Sequence, residues 1–112
     1  MAVVVCHCTC PDAGTAERIA QALVSARLAA CVNILPGVRS IYRWQDAIER
    51  ADEVLLLAKT TRERIEPLSA LVASLHPHEL PEVIAVEVAA GLPAYLDWVV
   101  ASASEASPRR GD

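Results

Sequence analysis

Apolar positions along the chain fall into strand-like runs and stretches of helical period, and their alternation gives an element order. Ala2 to Cys10 reads as a strand, with Ala2, Val4, Cys6, Cys8 and Cys10 on one side and Val3, Val5, His7 and Thr9 on the other. Pro11 and Asp12 stop it. Asp12 is placed to cap a helix whose stripe is Ala16, Ile19, Ala20, Leu23 and Ala26, running to about Leu28. Cys31 to Leu35 and Ser40 to Trp44 read as strand, with Pro36 and Gly37 between them marking a bulge or bend. Asp46 to Asp52 is polar and turn-like, whereas Val54 to Thr60 is apolar on both sides and suits the centre of a sheet. A second stripe, Ile65, Leu68, Leu71, Val72 and Leu75, tolerates Pro67 only in a first turn, so this helix should start near Glu63. Val83 to Val88 is a fourth strand, and Pro93 to about Ala103 a short third helix with Pro93 at its first position.

The order βαββαβ plus a terminal helix predicts an α+β, ferredoxin-like sandwich, with both long helices on one face of a four-stranded antiparallel sheet. Residues 1–103 are expected to form a single domain and 104–112 a disordered tail. The uncovered sheet face is apolar on the first, third and fourth strands, where a solvated face would alternate in polar residues. Composition strengthens that conflict. A chain of 112 residues that is 54% hydrophobic, lacks Phe entirely and has a mean hydropathy of +0.32 must build its core from Ala, Val and Leu. It is also apolar for a small monomer, which leaves much of its surface in water. Self-association into a homo-oligomer is the expected resolution.

Several classes are excluded by charge and patterning. A net charge of −4 and a pI near 5.3, with only ten scattered Lys and Arg, argue against a nucleic-acid partner. Apolar stretches are broken by Asn33 and Pro36, or by Glu87, Pro93 and Asp97, within the ~20 residues a membrane span requires. The N-terminus has no basic region followed by a signal-type apolar core, which makes the cytoplasm the expected location. Cys6, Cys8 and Cys10 sit at two-residue spacing, near or beyond the ~7 Å limit for disulfide-linked Cα atoms, which fits a reduced compartment.

Ligand-capable chemistry is concentrated in His76, Pro77, His78, Glu79, Leu80, Pro81 and Glu82. Each proline pushes the residue before it out of the helical region, so His76 and Leu80 are held extended and the segment is stiff. Imidazole and carboxylate are transition-metal ligands, better ones when a thiolate from elsewhere joins them. Adjacent residues in an extended segment point apart, so at most one of His78 and Glu79 should reach an ion held by His76. Cys8 considered alone is a small hydrophobe, and His7 points away from it. Tyr42 and Trp44 share a strand face as a packing layer or an aromatic platform would. Lys59, following Leu55, Leu56 and Leu57, needs a carboxylate partner or an anionic ligand. There is no Gly-rich phosphate loop, nucleophile elbow or HExxH helix, and no catalytic residue is assigned.

Taken in order, Cys8, Thr9, Pro11 and Asp12, then Leu28 to Ile34 with Pro36 and Gly37, then Ser40, Tyr42 and Trp44 form a dense pattern. Lys59 to Thr61, His76, Pro77, Glu79, Pro81 and Glu82, and Tyr95, Leu96 and Trp98 continue it over about 90 residues. This pattern closely resembles the CutA divalent-cation-tolerance family. The resemblance implies a ferredoxin-like fold in a homotrimer similar to PII signalling proteins. It also implies a role in tolerance of divalent metals, copper above all. Cys8 matches the thiolate position of the family's proposed copper site and His76 a neighbouring imidazole; Tyr42, Trp44, Lys59, Tyr95 and Trp98 together with His76 resemble its intersubunit cleft. The chain departs from the family at His78, usually Tyr, at Gln45 to Ile48, and at Cys10, usually Ala, so Cys10 inherits no role.

The expectation is therefore a cytoplasmic, trimeric, non-enzymatic protein that binds copper or another divalent cation through Cys8, His76 and His78. No organic cofactor, nucleic acid or membrane is expected. The alternative is a PII-like module taking a small anionic ligand in intersubunit clefts lined by Tyr42, Trp44, Lys59, Glu79, Glu82, Tyr95 and Trp98.

Overall fold

A computed structural model describes residues 2–105. Four strands, β1 (Val3–Cys10), β2 (Cys31–Trp44), β3 (Ala47–Thr61) and β4 (Ile84–Glu87), form one antiparallel sheet in the order β2-β3-β1-β4. Three helices, α1 (Ala13–Ser25), α2 (Ile65–Leu75) and α3 (Pro93–Ser102), complete the ferredoxin-like α+β arrangement. No helix among the described residues is long and apolar enough to cross a membrane.

The core lies between α1 and α2 and the sheet face that carries Val4, Cys6, Cys8 and Cys10 of β1 with Leu56 and Ala58 of β3. Ile19 and Leu23 of α1 and Leu68 and Val72 of α2 are its largest helical contributors. Each such buried aliphatic side chain contributes roughly 1.5–3 kcal/mol relative to exposure. Asp12 caps α1 by accepting the Thr15 N–H at 2.7 Å. α1 stops at Ser25, short of the Leu28 its apolar stripe suggests, because Arg27 adopts a left-handed conformation (φ 58°) and the Leu28 N–H turns back to the Leu23 carbonyl. The Arg27 side chain then donates to the carbonyls of Ala101 and Ser104, tying the end of α1 to the end of α3. Of the stretch expected as a tail, Ser104 and Glu105 are described and 106–112 lie outside the described residues.

Pro67 falls in the first turn of α2, which is preceded by a short 3-10 turn from Arg62 to Arg64. β2 runs through Pro36 and Gly37 with a register shift between Leu35 and Val38, the bulge expected there, and Gly37 takes φ 85°.

One expectation is corrected. Asp46 to Asp52 is not a turn region: only Gln45 and Asp46 turn the chain, both at positive φ as a two-residue hairpin loop requires, and β3 begins at Ala47. β2 and β3 consequently form a hairpin arm, Val38 to Trp44 paired with Ala47 to Glu53, that extends past the end of β1, whose pairing with β3 stops at Val54. With no helix over it, the arm has no buried face and lacks the apolar alternation that identifies a half-buried strand. Its Ile41 is 65% exposed. The arm also explains the elongated outline of 53 × 28 × 22 Å.

The register places Val5, His7 and Thr9 of β1, Leu55, Leu57 and Lys59 of β3, and Ile84 and Val86 of β4 on the face opposite α1 and α2. Within one chain Ile84 and Val86 are more than half exposed, and Leu55 and Leu57 are only partly covered.

Candidate metal centre

Two chain segments meet at the end of β1. From β1, the two-residue period sends the Cys8 and Cys10 side chains to the same, helix-covered face. From the other side comes His76, which ends α2: its N–H still bonds the Val72 carbonyl, but Pro77 forces it into an extended conformation (φ −80°, ψ 136°). Cys8 Sγ, Cys10 Sγ and a His76 ring nitrogen all lie within 4.8 Å of one another. The three residues are 4%, 0% and 7% exposed, so bulk water is excluded from their side chains.

Hydrogen bonds fix the imidazole. His76 Nδ1 lies 3.1 Å from the backbone nitrogen of His78, which can only donate, and Nε2 lies 2.8 Å from the carbonyl oxygen of Thr9, which can only accept. Nδ1 therefore keeps its lone pair and Nε2 carries the proton. Metal-bound histidines commonly donate their second ring N–H to a backbone carbonyl in the way Nε2 does to Thr9. An ion at Nδ1 would compete with the His78 amide alone.

The thiols influence each other. The Cys10 side chain beside it pushes the Cys8 thiol up, with burial and the charges of Cys10, Glu82 and Glu53 adding to the effect. Cys8 Sγ itself lies 3.9 Å from the Thr9 carbonyl oxygen. The Cys8 side chain in turn holds Cys10 below the usual thiol range, against burial and the charges of Asp12 and Glu53. Two negative charges at this spacing oppose each other unless a cation arrives. All four cysteines are free.

Of the residues singled out in the sequence, Cys8 and His76 are brought together. The ring of His78 stands 4.7 Å from that of His76, centroid to centroid, but is exposed and outside the cluster; its backbone amide makes the contact. Cys10, to which the family resemblance gives no role, joins them, as its two-residue offset from Cys8 on one strand face allows. Glu79 is exposed in the bend after α2, and Glu82 Oε1 lies 3.4 Å from Thr9 Oγ1, at the outer limit of a hydrogen bond. Lys59 Nζ donates to Asn33 Oδ1 across the β2-β3 ladder. Tyr42 pairs with Glu49 on the hairpin arm, ten residues along β3 from Lys59, about 33 Å at strand rise, so one chain does not bring the two into one cleft. Trp44 is farther still along the arm. Tyr95 and Trp98 stack on α3 with ring centroids 5.5 Å apart.

Comparison with known proteins identifies the family. The family model described as CutA1 divalent ion tolerance protein matches residues 4–102. The divalent-cation tolerance protein CutA of Thermus thermophilus is 50% identical over 91 residues, which cover 81% of this chain and 88% of that protein. Protein CutA of Mus musculus is 48% identical over 91 residues, 81% of this chain and 51% of that protein, so the chain spans about half the length of the mouse relative. Among solved structures, the crystal structure of CutA from Xylella fastidiosa superposes with a TM-score of 0.88 at 46% identity, covering 91% of this chain and 98% of that one. The chain belongs to the CutA1 divalent ion tolerance family.

Proposed function

We propose that this protein serves divalent cation tolerance by binding copper, or a related transition-metal ion, at the cluster built on Cys8 and His76. The observation that carries this reading is the convergence of a thiol from β1 and an imidazole from the end of α2, residues 68 positions apart by number, in a buried site. Sulfur with imidazole nitrogen suits copper and zinc rather than magnesium or calcium. The Nε2 bond to the Thr9 carbonyl holds the ring in place, the support a metal-bound imidazole commonly has. His78 acts through its amide rather than its ring. The role is sequestration or sensing, without turnover, in the cytoplasm.

Three copies assemble, in this reading, by burying the open sheet face on one another, which removes Leu57, Ile84 and Val86 from water. The anionic-ligand alternative has weaker support: Lys59 already has Asn33 as a partner, and Tyr42 is remote from it in the same chain.

Calorimetric titration tests the metal reading, with Cu(I) under anaerobic reducing conditions and with Cu(II). Stoichiometric binding that is lost in the Cys8→Ser, His76→Ala double variant is expected. No binding, or binding the double variant retains, overturns it.

A further inference from the structure

Cys10 has the lowest exposure in the cluster, 0%, and packs at the end of β1 opposite Val54 of β3. Alanine would fill a strand position of this kind without placing a thiol in contact with Cys8 and His76. The sulfur is also well placed chemically: it and Cys8 Sγ come from one strand face of fixed spacing, so the pair is held together by backbone geometry rather than by mobile loops. Two sulfurs and one nitrogen are a different site from one sulfur and one nitrogen. Soft thiolate donors select Cu(I), which is satisfied by two or three ligands. Zn(II) takes four, its fourth commonly a water, and the 4%, 0% and 7% exposures of the three residues work against a water reaching the ion.

We propose that Cys10 is a direct ligand, so that Cys8, Cys10 and His76 form a dithiolate-imidazole site that takes Cu(I) in preference to Zn(II). The inference rests on the metal-binding reading above and names the ion class for that same site. On loading, each thiol releases its proton to solvent as its sulfur bonds the ion, and no electron changes hands.

X-ray absorption of the wild-type protein loaded anaerobically with Cu(I) counts the sulfurs without any variant. Two sulfurs and one nitrogen are expected. Chelator competition on Cys10→Ala, with folding checked by circular dichroism, should show Cu(I) affinity falling by more than the roughly 10- to 100-fold that loss of an outer-shell partner costs, and Zn(II) affinity falling by less. A single sulfur in the wild type, or unchanged Cu(I) affinity in Cys10→Ala, overturns the role of Cys10 and leaves binding through Cys8 and His76 standing. A wild-type protein that binds neither ion overturns both.

Discussion

His76 Nε2 donates to the Thr9 carbonyl at 2.8 Å, joining the end of α2 to β1 between its two buried thiols. The bond occupies a carbonyl beyond the short β4 ladder, which reaches only as far as His7. A side chain here does the work of a missing strand. Replacing His76 by Ala leaves that carbonyl only the weak Cys8 thiol contact at 3.9 Å and is expected to cost about 1–3 kcal/mol, read as a lower urea midpoint at unchanged slope. His76→Gln, which can still donate, should recover part of the loss. An unchanged midpoint in His76→Ala would show that the bond contributes nothing net.

Gly37 separates backbone strain from packing. It has φ 85°, yet a Cβ built there meets nothing within 4 Å. Gly37→Ala should therefore destabilise by about 1–2 kcal/mol through the left-handed backbone alone, and Gly37→Asn by less because Asn tolerates that region. Equal losses in thermal or urea unfolding would point to a steric cause instead.

The Asp12 cap has a signature in pH. Its carboxyl is held below the usual carboxylate range, chiefly by the hydrogen bond from the Thr15 N–H. A depressed carboxyl stabilises the fold fully above its unfolded pKa, about 3.9, and loses that contribution as pH falls through the lower folded value. Asp12→Ala should lower the melting temperature at neutral pH, and the gap from wild type should narrow on acidification below that range. Asp12→Ser should keep most of the stability at all pH values. A gap that does not change with pH would exclude the charged cap as its source.

The open face yields a prediction about assembly. Leu57 stands opposite His7 on one side and Asn33 on the other, at the middle of the sheet. Leu57→Glu should dissociate the proposed trimer, with sedimentation moving from three times the 12.0 kDa chain mass toward the single chain. Glu17→Lys, on the exposed side of α1, should leave it intact. A wild-type protein that sediments as a single chain at micromolar concentration would rule out the trimer.

Local physics made most of the architecture readable in the chain. Period-two and helical patterns, Asp12 before α1, Pro67 in the first turn of α2 and Pro93 at the start of α3 gave the element order, because each acts within a few residues of itself. The ordered motifs from Cys8 to Trp98 likewise pointed to the family that comparison established. The arm escaped this reading. Ala47 to Glu53 is strand only because it pairs with Val38 to Trp44, and with no helix above it there is no buried side to impress a pattern on the sequence. Arg27 ends α1 early in a left-handed conformation, and its side chain bonds the distant end of α3, a partner no local rule supplies.

The same division runs through the site. Sequence alone determined that Cys8 and Cys10 share a strand face and that Pro77 holds His76 extended, since both follow from backbone geometry next to the residue concerned. Only the tertiary structure decided that the two segments meet, that the imidazole keeps its Nδ1 lone pair, and that Tyr42 and Lys59 stand far apart on one ladder. Those relations depend on strand order and register, which are set by how the whole sheet buries its apolar face.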